Sequence, residues 1–115
     1  MQDFHSLDVW KRAHDLVLSM YKATQSMPRE EIFGITMQLR RGTTAVATRI
    51  AEGSGREANA EFIIDLRKAI AGCNEVEYLL LLAKDLEHLN VEAFDRLTGE
   101  TVGVRKMLYG LIRKM

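Results

Sequence analysis

Every positively charged residue from Ala23 to Arg67 is an arginine, and there are six of them. A guanidinium group is a planar fork that holds a carboxylate or a phosphate in two places, and it also stacks on flat groups. The bias therefore indicates either ion pairs of fixed geometry or contacts with phosphate. The candidate nucleic-acid contacts among these arginines are Arg40, Arg49 and Arg56.

Other residues that carry chemistry are present, but their spacing assembles no site. The three histidines, His5, His14 and His88, are not paired at metal-ligand spacing. A di-iron bundle needs a second carboxylate-histidine helix beside Asp85 and His88, and the sequence lacks one. The serines have no histidine at a suggestive spacing, and Gly53-Ser54-Gly55 lacks the lysine of a phosphate loop. We therefore expect no enzyme activity, no metal and no cofactor.

Length and charge limit the class of protein. The 115 residues are enough for one domain, 1–115, with a single core. Sixteen basic residues balance sixteen acidic ones, so the chain lacks the overall positive field that attracts nucleic acid. Residues 59–89 carry 3 basic and 6 acidic groups, whereas residues 90–115 carry 5 and 3. Any nucleic-acid binding must therefore come from a local patch.

The single cysteine and the lengths of the apolar segments indicate the cellular compartment of the protein. Cys73 has no partner for an internal disulfide and lies among apolar residues, as expected of a small hydrophobe in a reducing cytoplasm. No signal peptide is recognisable, and the longest apolar stretch, Tyr78 to Ala83, is too short to cross a bilayer. We expect a soluble cytoplasmic protein with no membrane contact.

The elements that carry these residues are predicted to be helices, because apolar residues recur every three to four positions and the chain has one proline. The first predicted helix ends at Pro28, and the second extends from Ile35 to about Glu52 and is broken by Gly53, Ser54 and Gly55. The third is capped by Asn59 and extends towards Leu89, and the fourth is capped by Asn90. Short connections favour antiparallel neighbours. We predict an all-α, antiparallel up-down-up-down four-helix bundle.

The second helix has two distinct sides at about 100° per residue. Ile35, Leu39, Val46 and Ile50 share one side and predict a core stripe. The opposite side is small in the middle and charged at its ends, with Arg41, Ala45, Thr48 and Glu52. Such a surface allows a neighbouring helix to approach between charged clamps. It is either a contact with another copy of the chain or an ordinary solvated face.

The third helix is longer than one partner can cover, at roughly 45 Å against roughly 27 Å for the second. Its later half carries a second apolar stripe, formed by Leu79, Leu82, Leu86 and Leu89. This arc is wider than one neighbouring helix needs. The excess indicates either a subunit interface or burial under the chain's own connections.

Short motifs along nearly the whole chain match one known family. They are Phe4, Leu7 and Trp10, then Pro28, Glu31, Phe33 and Gly34, then Gln38–Arg41 and Ile50–Gly53, then Glu61 with Phe62, and finally Asn74–Glu77. In these motifs the chain resembles the four-helix-bundle proteins encoded within intervening sequences of bacterial 23S ribosomal RNA genes, also grouped as an S23-type ribosomal protein family.

The chain departs from the family pattern at several small or polar positions. Arg49 replaces the usual asparagine, Ala45 and Ala47 replace a serine and a proline, and Ala71-Gly72 replaces glycine-serine. If the family pattern builds a polar site there, Arg49 must reorganise it. We expect Arg49 to pair with Glu52 or with Glu75.

The resemblance implies a ring-like homo-oligomer, a pentamer, without enzymatic activity. A similar fold serves as the accessory protein of diversity-generating retroelements, which binds nucleic acid and a reverse transcriptase; that protein is markedly basic and this chain is not. One hypothesis is a self-associating scaffold that acts with RNA or a ribonucleoprotein. The alternative is a protein-binding adaptor whose arginines are all used in ion pairs. The expected oligomer interface comprises Arg41, Ala45, Thr48, Glu52, Leu79, Leu82 and Leu86.

Overall fold

The structure, a computed structural model, describes residues 2–115, and this part of the chain forms four long helices and no strand. The helices are α1 (Asp8–Thr24), α2 (Ile35–Ser54), α3 (Asn59–Asp85) and α4 (Val91–Arg113). Two short 3-10 turns, Phe4–Ser6 and Arg29–Glu31, precede α1 and α2.

The helices pack in chain order around a square. Each contacts the helix before and after it, and α4 also contacts α1. Within residues 2–115 no comparable contact joins α1 to α3 or α2 to α4, so these pairs lie on the diagonals. The bundle measures 43 × 22 × 20 Å. The predicted antiparallel up-down-up-down four-helix bundle is confirmed.

The apolar stripes of all four helices meet in one core. Its fully buried side chains include Leu16, Met20, Leu39, Ile50, Leu66, Leu80, Leu97 and Leu108. Burying each such side chain contributes roughly 1.5–3 kcal/mol. Burial of the apolar stripes that the helical periodicity creates is therefore the main source of the bundle's stability.

The end of α2 shows how closely this helix approaches α3. A Cβ atom on Gly53 would lie 2.8 Å from Cδ1 of Phe62 and 2.9 Å from Cβ of Asp65. Of the three residues expected to break the helix, Gly53 and Ser54 are still helical and buried, and α2 ends with Gly55 as its C-cap. Gly53 is needed for close packing between the helices and does not act as a helix stop.

The first helix ends one turn earlier than predicted, at Thr24 and not at Pro28. The Thr24 hydroxyl donates to the carbonyl oxygen of Met20 at 2.8 Å. Thr43 and Thr101 make the same bond inside helices that continue, so this bond does not end α1. The residue before a proline is disfavoured in the helical region, so the chain leaves the helix before Pro28 and the connection to α2 begins.

The two asparagines expected to cap helices behave differently. Asn90 is the N-cap of α4, and its Oδ1 accepts from the backbone N–H of Ala93 at 2.7 Å, as predicted. Asn59 is instead the first residue inside α3, and Ala58 is the N-cap. Helical bonding already begins at the carbonyl of Ala58, which accepts from the N–H of Phe62 at 3.2 Å.

The third helix ends at Asp85, short of the predicted Leu89. Glu87 follows with a φ of 63°, in the left-handed region. The N–H of His88 donates to the carbonyl of Ala83 at 2.9 Å, which is the bond that closes a helix ending in a left-handed residue. The chain turns here towards α4, and the apolar pattern beyond Asp85 belongs to that turn.

Candidate interaction surface

An open groove of about 680 Å³ runs along the outer side of α2. One end is bordered by Tyr21 of α1, and one wall includes Glu75 of α3. The residues that line it are Tyr21, Gln38, Arg41, Gly42, Thr44, Ala45, Thr48, Arg49, Glu52 and Glu75. We call this surface the α2 groove. It lies on the side of α2 opposite the core.

The α2 groove contains every α2 residue that the sequence analysis placed in an interface. Arg41, Ala45, Thr48 and Glu52 all line it and are all exposed. Gly42, Ala45 and Thr48 line it, and these small residues leave space for the side chains of a partner. In the isolated chain this side of α2 is open to solvent, and its shape allows another helix to approach closely.

The charges of the α2 groove balance each other, with two arginines and two glutamates. Nη1 of Arg49 lies 3.8 Å from Oε1 of Glu52, so Glu52 is the nearer of the two partners expected for Arg49. Among residues 2–115, neither Arg41 nor Glu75 has an ion-pair partner within 4 Å. The groove therefore presents one unpaired charge of each sign.

Arg40, a candidate nucleic-acid contact, is bonded within the chain. Its Nε donates to Oγ1 of Thr24 at 2.8 Å. Its guanidinium carbon lies 4.8 Å from the ring centroid of Tyr21, a cation–π distance. These contacts fasten α2 to the end of α1, so we assign Arg40 a structural role.

Arg56, a second candidate, is also bonded within the chain. Its Nε donates to Oδ2 of Asp65 at 2.8 Å, and only 4% of the Asp65 side chain is exposed. The hydrogen bond to Asp65 raises the pKa of the Arg56 guanidinium above its ordinary value. Arg56 therefore neutralises a buried carboxylate at the turn between α2 and α3.

Most of the second leucine stripe of α3 lies in the chain's own core. Leu79 is 5% exposed, Leu89 is buried, and Leu82 packs against the core from a partly buried position. Leu86 alone in this stripe is open, at 47% exposure. The interface prediction is therefore wrong for Leu79, because the side of α3 that carries it is turned towards the core of its own chain.

A different apolar strip of α3 faces outward, and sequence reasoning missed it. We call it the α3 face; its members are Ile64, Ala71, Tyr78 and Leu81, all exposed. The first three repeat every seven residues and extend over roughly 21 Å of helix. Tyr78 and Leu81 border a shallow pocket of about 440 Å³ that Phe94 and Thr98 complete. A search of the sequence for apolar residues spaced seven positions apart, beginning at Ile64, would have found this strip.

A second overlooked apolar patch adjoins the α2 groove. Phe33, in the connection before α2, is 83% exposed, and it lines a shallow pocket with Ile32, Tyr21 and Met37. The connection is held by the adjacent turn, where Nε2 of His88 lies 3.0 Å from an oxygen of Glu31. In the sequence Phe33 is recognisable only as part of a family motif, because helical periodicity does not predict which residues of a connection are exposed.

The remaining histidines are engaged with their neighbours. His5 contacts Asp3 at 2.7 Å, and the ring of His14 stacks on Trp10 with centroids 5.1 Å apart. Over residues 2–115 we find no group of three metal-ligating side chains. None of the helices in that range combines the length and the apolar character that a membrane crossing requires.

Comparison with known proteins places the chain in a family. A crystal structure of a protein of unknown function from the S23 ribosomal protein family of Bacteroides thetaiotaomicron has a similar fold, with a TM-score of 0.81 and 23% sequence identity over 90% of this chain and 97% of that one. No curated protein matches the chain. The model of the 23S rRNA-intervening sequence proteins matches residues 5–110. This chain therefore belongs to the 23S rRNA-intervening sequence protein family.

Proposed function

We propose that this protein is a non-enzymatic homo-oligomer, a ring of five copies, that works in the cytoplasm with RNA or a ribonucleoprotein. The observation that carries the proposal is the presence of two uncovered surfaces on neighbouring helices, the α2 groove and the α3 face. The association with RNA is supported by analogy with the nucleic-acid-binding accessory protein of similar fold, and the family resemblance supplies the number five.

The composition of the α2 groove suits a polypeptide better than a phosphate chain. Its two arginines and two glutamates cancel, so it offers no positive field to a phosphate. Its small central residues, Ala45 and Thr48, allow a helix to come close. In such a contact the unpaired Arg41 and Glu75 require a carboxylate and a cation from the second copy.

The α3 face supplies the complementary apolar surface. Covering Ile64, Tyr78 and Leu81 would remove three exposed apolar side chains from water, which is favourable. The α2 groove and the α3 face differ in shape and lie on neighbouring sides of a square bundle. A contact between one and the other on the next copy is head-to-tail, which closes into a ring when the rotation is right.

Two charge insertions test this assembly. Ala45→Arg fills the α2 groove and Tyr78→Arg places a charge on the α3 face, so each variant should sediment as a monomer while remaining folded. Gly99→Arg is the matched control, because it adds the same charge to the open side of α4, and it should remain assembled. Two variants that assemble like the unmodified protein would refute the proposed contact.

The association with RNA needs its own experiment. Filter binding of a structured RNA at two salt concentrations should show retention that falls steeply as salt rises. Arg40 and Arg56 are both bonded within the chain, an observation that favours the alternative of a purely protein-binding adaptor. Absence of retention near physiological salt would remove RNA from the proposal and leave the adaptor.

A further inference from the structure

The last fifteen residues of the sequence, 101–115, contain four basic residues and no acidic one. One of the four, Arg105, is used within the chain: its Nη1 lies 2.6 Å from Oε1 of Glu77 and 2.7 Å from Oδ1 of Asn74. The other three, Lys106, Arg113 and Lys114, are exposed. No carboxylate within residues 2–115 lies within 4 Å of them.

Two of these cations, Lys106 and Arg113, share one open side of α4, and Lys114 follows directly at the C-terminal end of the helix. Lys106 and Arg113 are seven residues apart, so they lie on the same side of the helix, about 10 Å apart along its axis. Glycines occupy the same side, and a Cβ atom on Gly99 or Gly103 would meet nothing within 4 Å. The helix surface beside the cations is therefore flat and unobstructed. We call Lys106, Arg113 and Lys114 the α4 basic face.

The α4 basic face differs in charge from the other open surfaces. The α2 groove is neutral, the α3 face is apolar, and the candidate arginines Arg40 and Arg56 are bonded within the chain. Phosphate backbones are bound by several unpaired cations, with no requirement for base contacts. The nearby Tyr109 is exposed and offers a ring on which an unpaired base can stack.

We infer that the α4 basic face binds the phosphate backbone of RNA without base specificity. The inference rests on the proposed association with RNA and moves its contacts from α2 to α4. Because α4 lies diagonally across the bundle from α2, RNA on the α4 basic face leaves the α2 groove free for a second copy of the chain. In a ring the α4 basic face is repeated, so several weak contacts with one RNA add to a stronger one.

The test compares two triple variants by fluorescence anisotropy with a structured RNA over a range of salt. Lys106→Ala/Arg113→Ala/Lys114→Ala should weaken binding by at least about tenfold and reduce the slope of log K against log salt by about two to three, the value for three lost phosphate contacts. The matched control is Arg12→Ala/Lys22→Ala/Arg29→Ala, which removes three exposed basic residues from elsewhere and should bind like the unmodified protein.

Several results would overturn the inference. Equal losses in both triple variants would mean that only net charge matters. A lower melting temperature with unchanged RNA binding would leave Arg113 and Lys114 as partners of the helix dipole alone. Binding of the α4 basic face to vesicles of phosphatidylserine but not to RNA would assign it to a membrane surface. If the unmodified protein and the α4 triple variant bind RNA equally well, this inference alone is refuted. If the unmodified protein does not bind RNA, the proposed RNA association is refuted as well.

A second measurement does not depend on how the variants fold. Ultraviolet crosslinking of the unmodified protein to the same RNA should give crosslinked peptides from residues 106–115. Crosslinks confined to α2 would return the phosphate contacts to that helix and overturn the inference.

Discussion

Nε of Arg56 lies 2.8 Å from Oδ2 of Asp65, and this bond spans the turn between α2 and α3. Asp65 faces the closely packed end of α2, where Phe62 and Asp65 itself leave no room for a side chain at position 53. The half-exposed arginine therefore compensates a carboxylate that has almost no contact with water. This ion pair explains why an arginine follows the glycines at the end of α2.

Removal of Arg56 should destabilise the bundle. Arg56→Ala leaves the Asp65 carboxylate buried without its partner, so we expect the melting temperature to fall by several degrees. Addition of Asp65→Asn to this variant should recover part of the loss, because it removes the buried charge. Arg67→Ala, at an exposed position in α3, is the control and should melt like the unmodified protein. An unchanged melting temperature for Arg56→Ala would show that the pair has no structural role.

Replacement of two glycines by alanine should change the free energy of unfolding in opposite directions. Gly53→Ala places a Cβ atom 2.8 Å from the Phe62 ring, and we expect a loss of about 1–3 kcal/mol in the free energy of unfolding. Gly99→Ala meets nothing within 4 Å and should add up to about 1 kcal/mol through helix propensity. Urea denaturation measures both. A stabilising Gly53→Ala would contradict the close approach of α2 and α3.

A glycine at position 87 should stabilise the C-terminal end of α3. Glu87 has a φ of 63°, which costs an ordinary residue more than it costs glycine. Glu87→Gly should therefore raise the free energy of unfolding by up to about 1 kcal/mol. Glu92→Gly, inside the first turn of α4, should instead lower it by about the same amount. Thermal melts of the two variants that shift in the same direction would contradict the left-handed helix end.

The Cys73 thiol should be inert in the folded protein. Burial raises its pKa from 9.0 to about 11, so at pH 8 its thiolate fraction is about 100-fold below that of an unperturbed thiol. The unfolded thiol ionises near pH 9 while the native one stays protonated, so its contribution to stability is lost as pH rises from 9 to 11. Iodoacetamide labelling and denaturation curves against Cys73→Ala check both effects. Fast labelling of the native protein at pH 8 would contradict the burial.

The bundle itself could be predicted because apolar spacing alone specifies amphipathic helices and short connections specify their antiparallel order. The helix ends could not be predicted as well. Gly53 stays helical at the point where Phe62 packs against α2. This outcome depends on a three-dimensional neighbour that a sequence pattern does not contain.

The α2 groove could be predicted because α2 has one clearly apolar side, so its opposite side follows from helical geometry. The α3 face could not, because α3 carries apolar residues on all sides and periodicity does not say which stripe enters the core. Leu79 enters it, whereas Tyr78, one residue earlier, points outward at 60% exposure. The partners of Arg40 and Arg56 likewise became visible only in the folded chain.

In the proposed ring, neighbouring copies of this chain cover the α2 groove and the α3 face. Multi-angle light scattering of the unmodified protein over a range of concentrations tests this assembly. We expect a mass about five times the 13.1 kDa of one chain. A mass of 13.1 kDa at every concentration would contradict it.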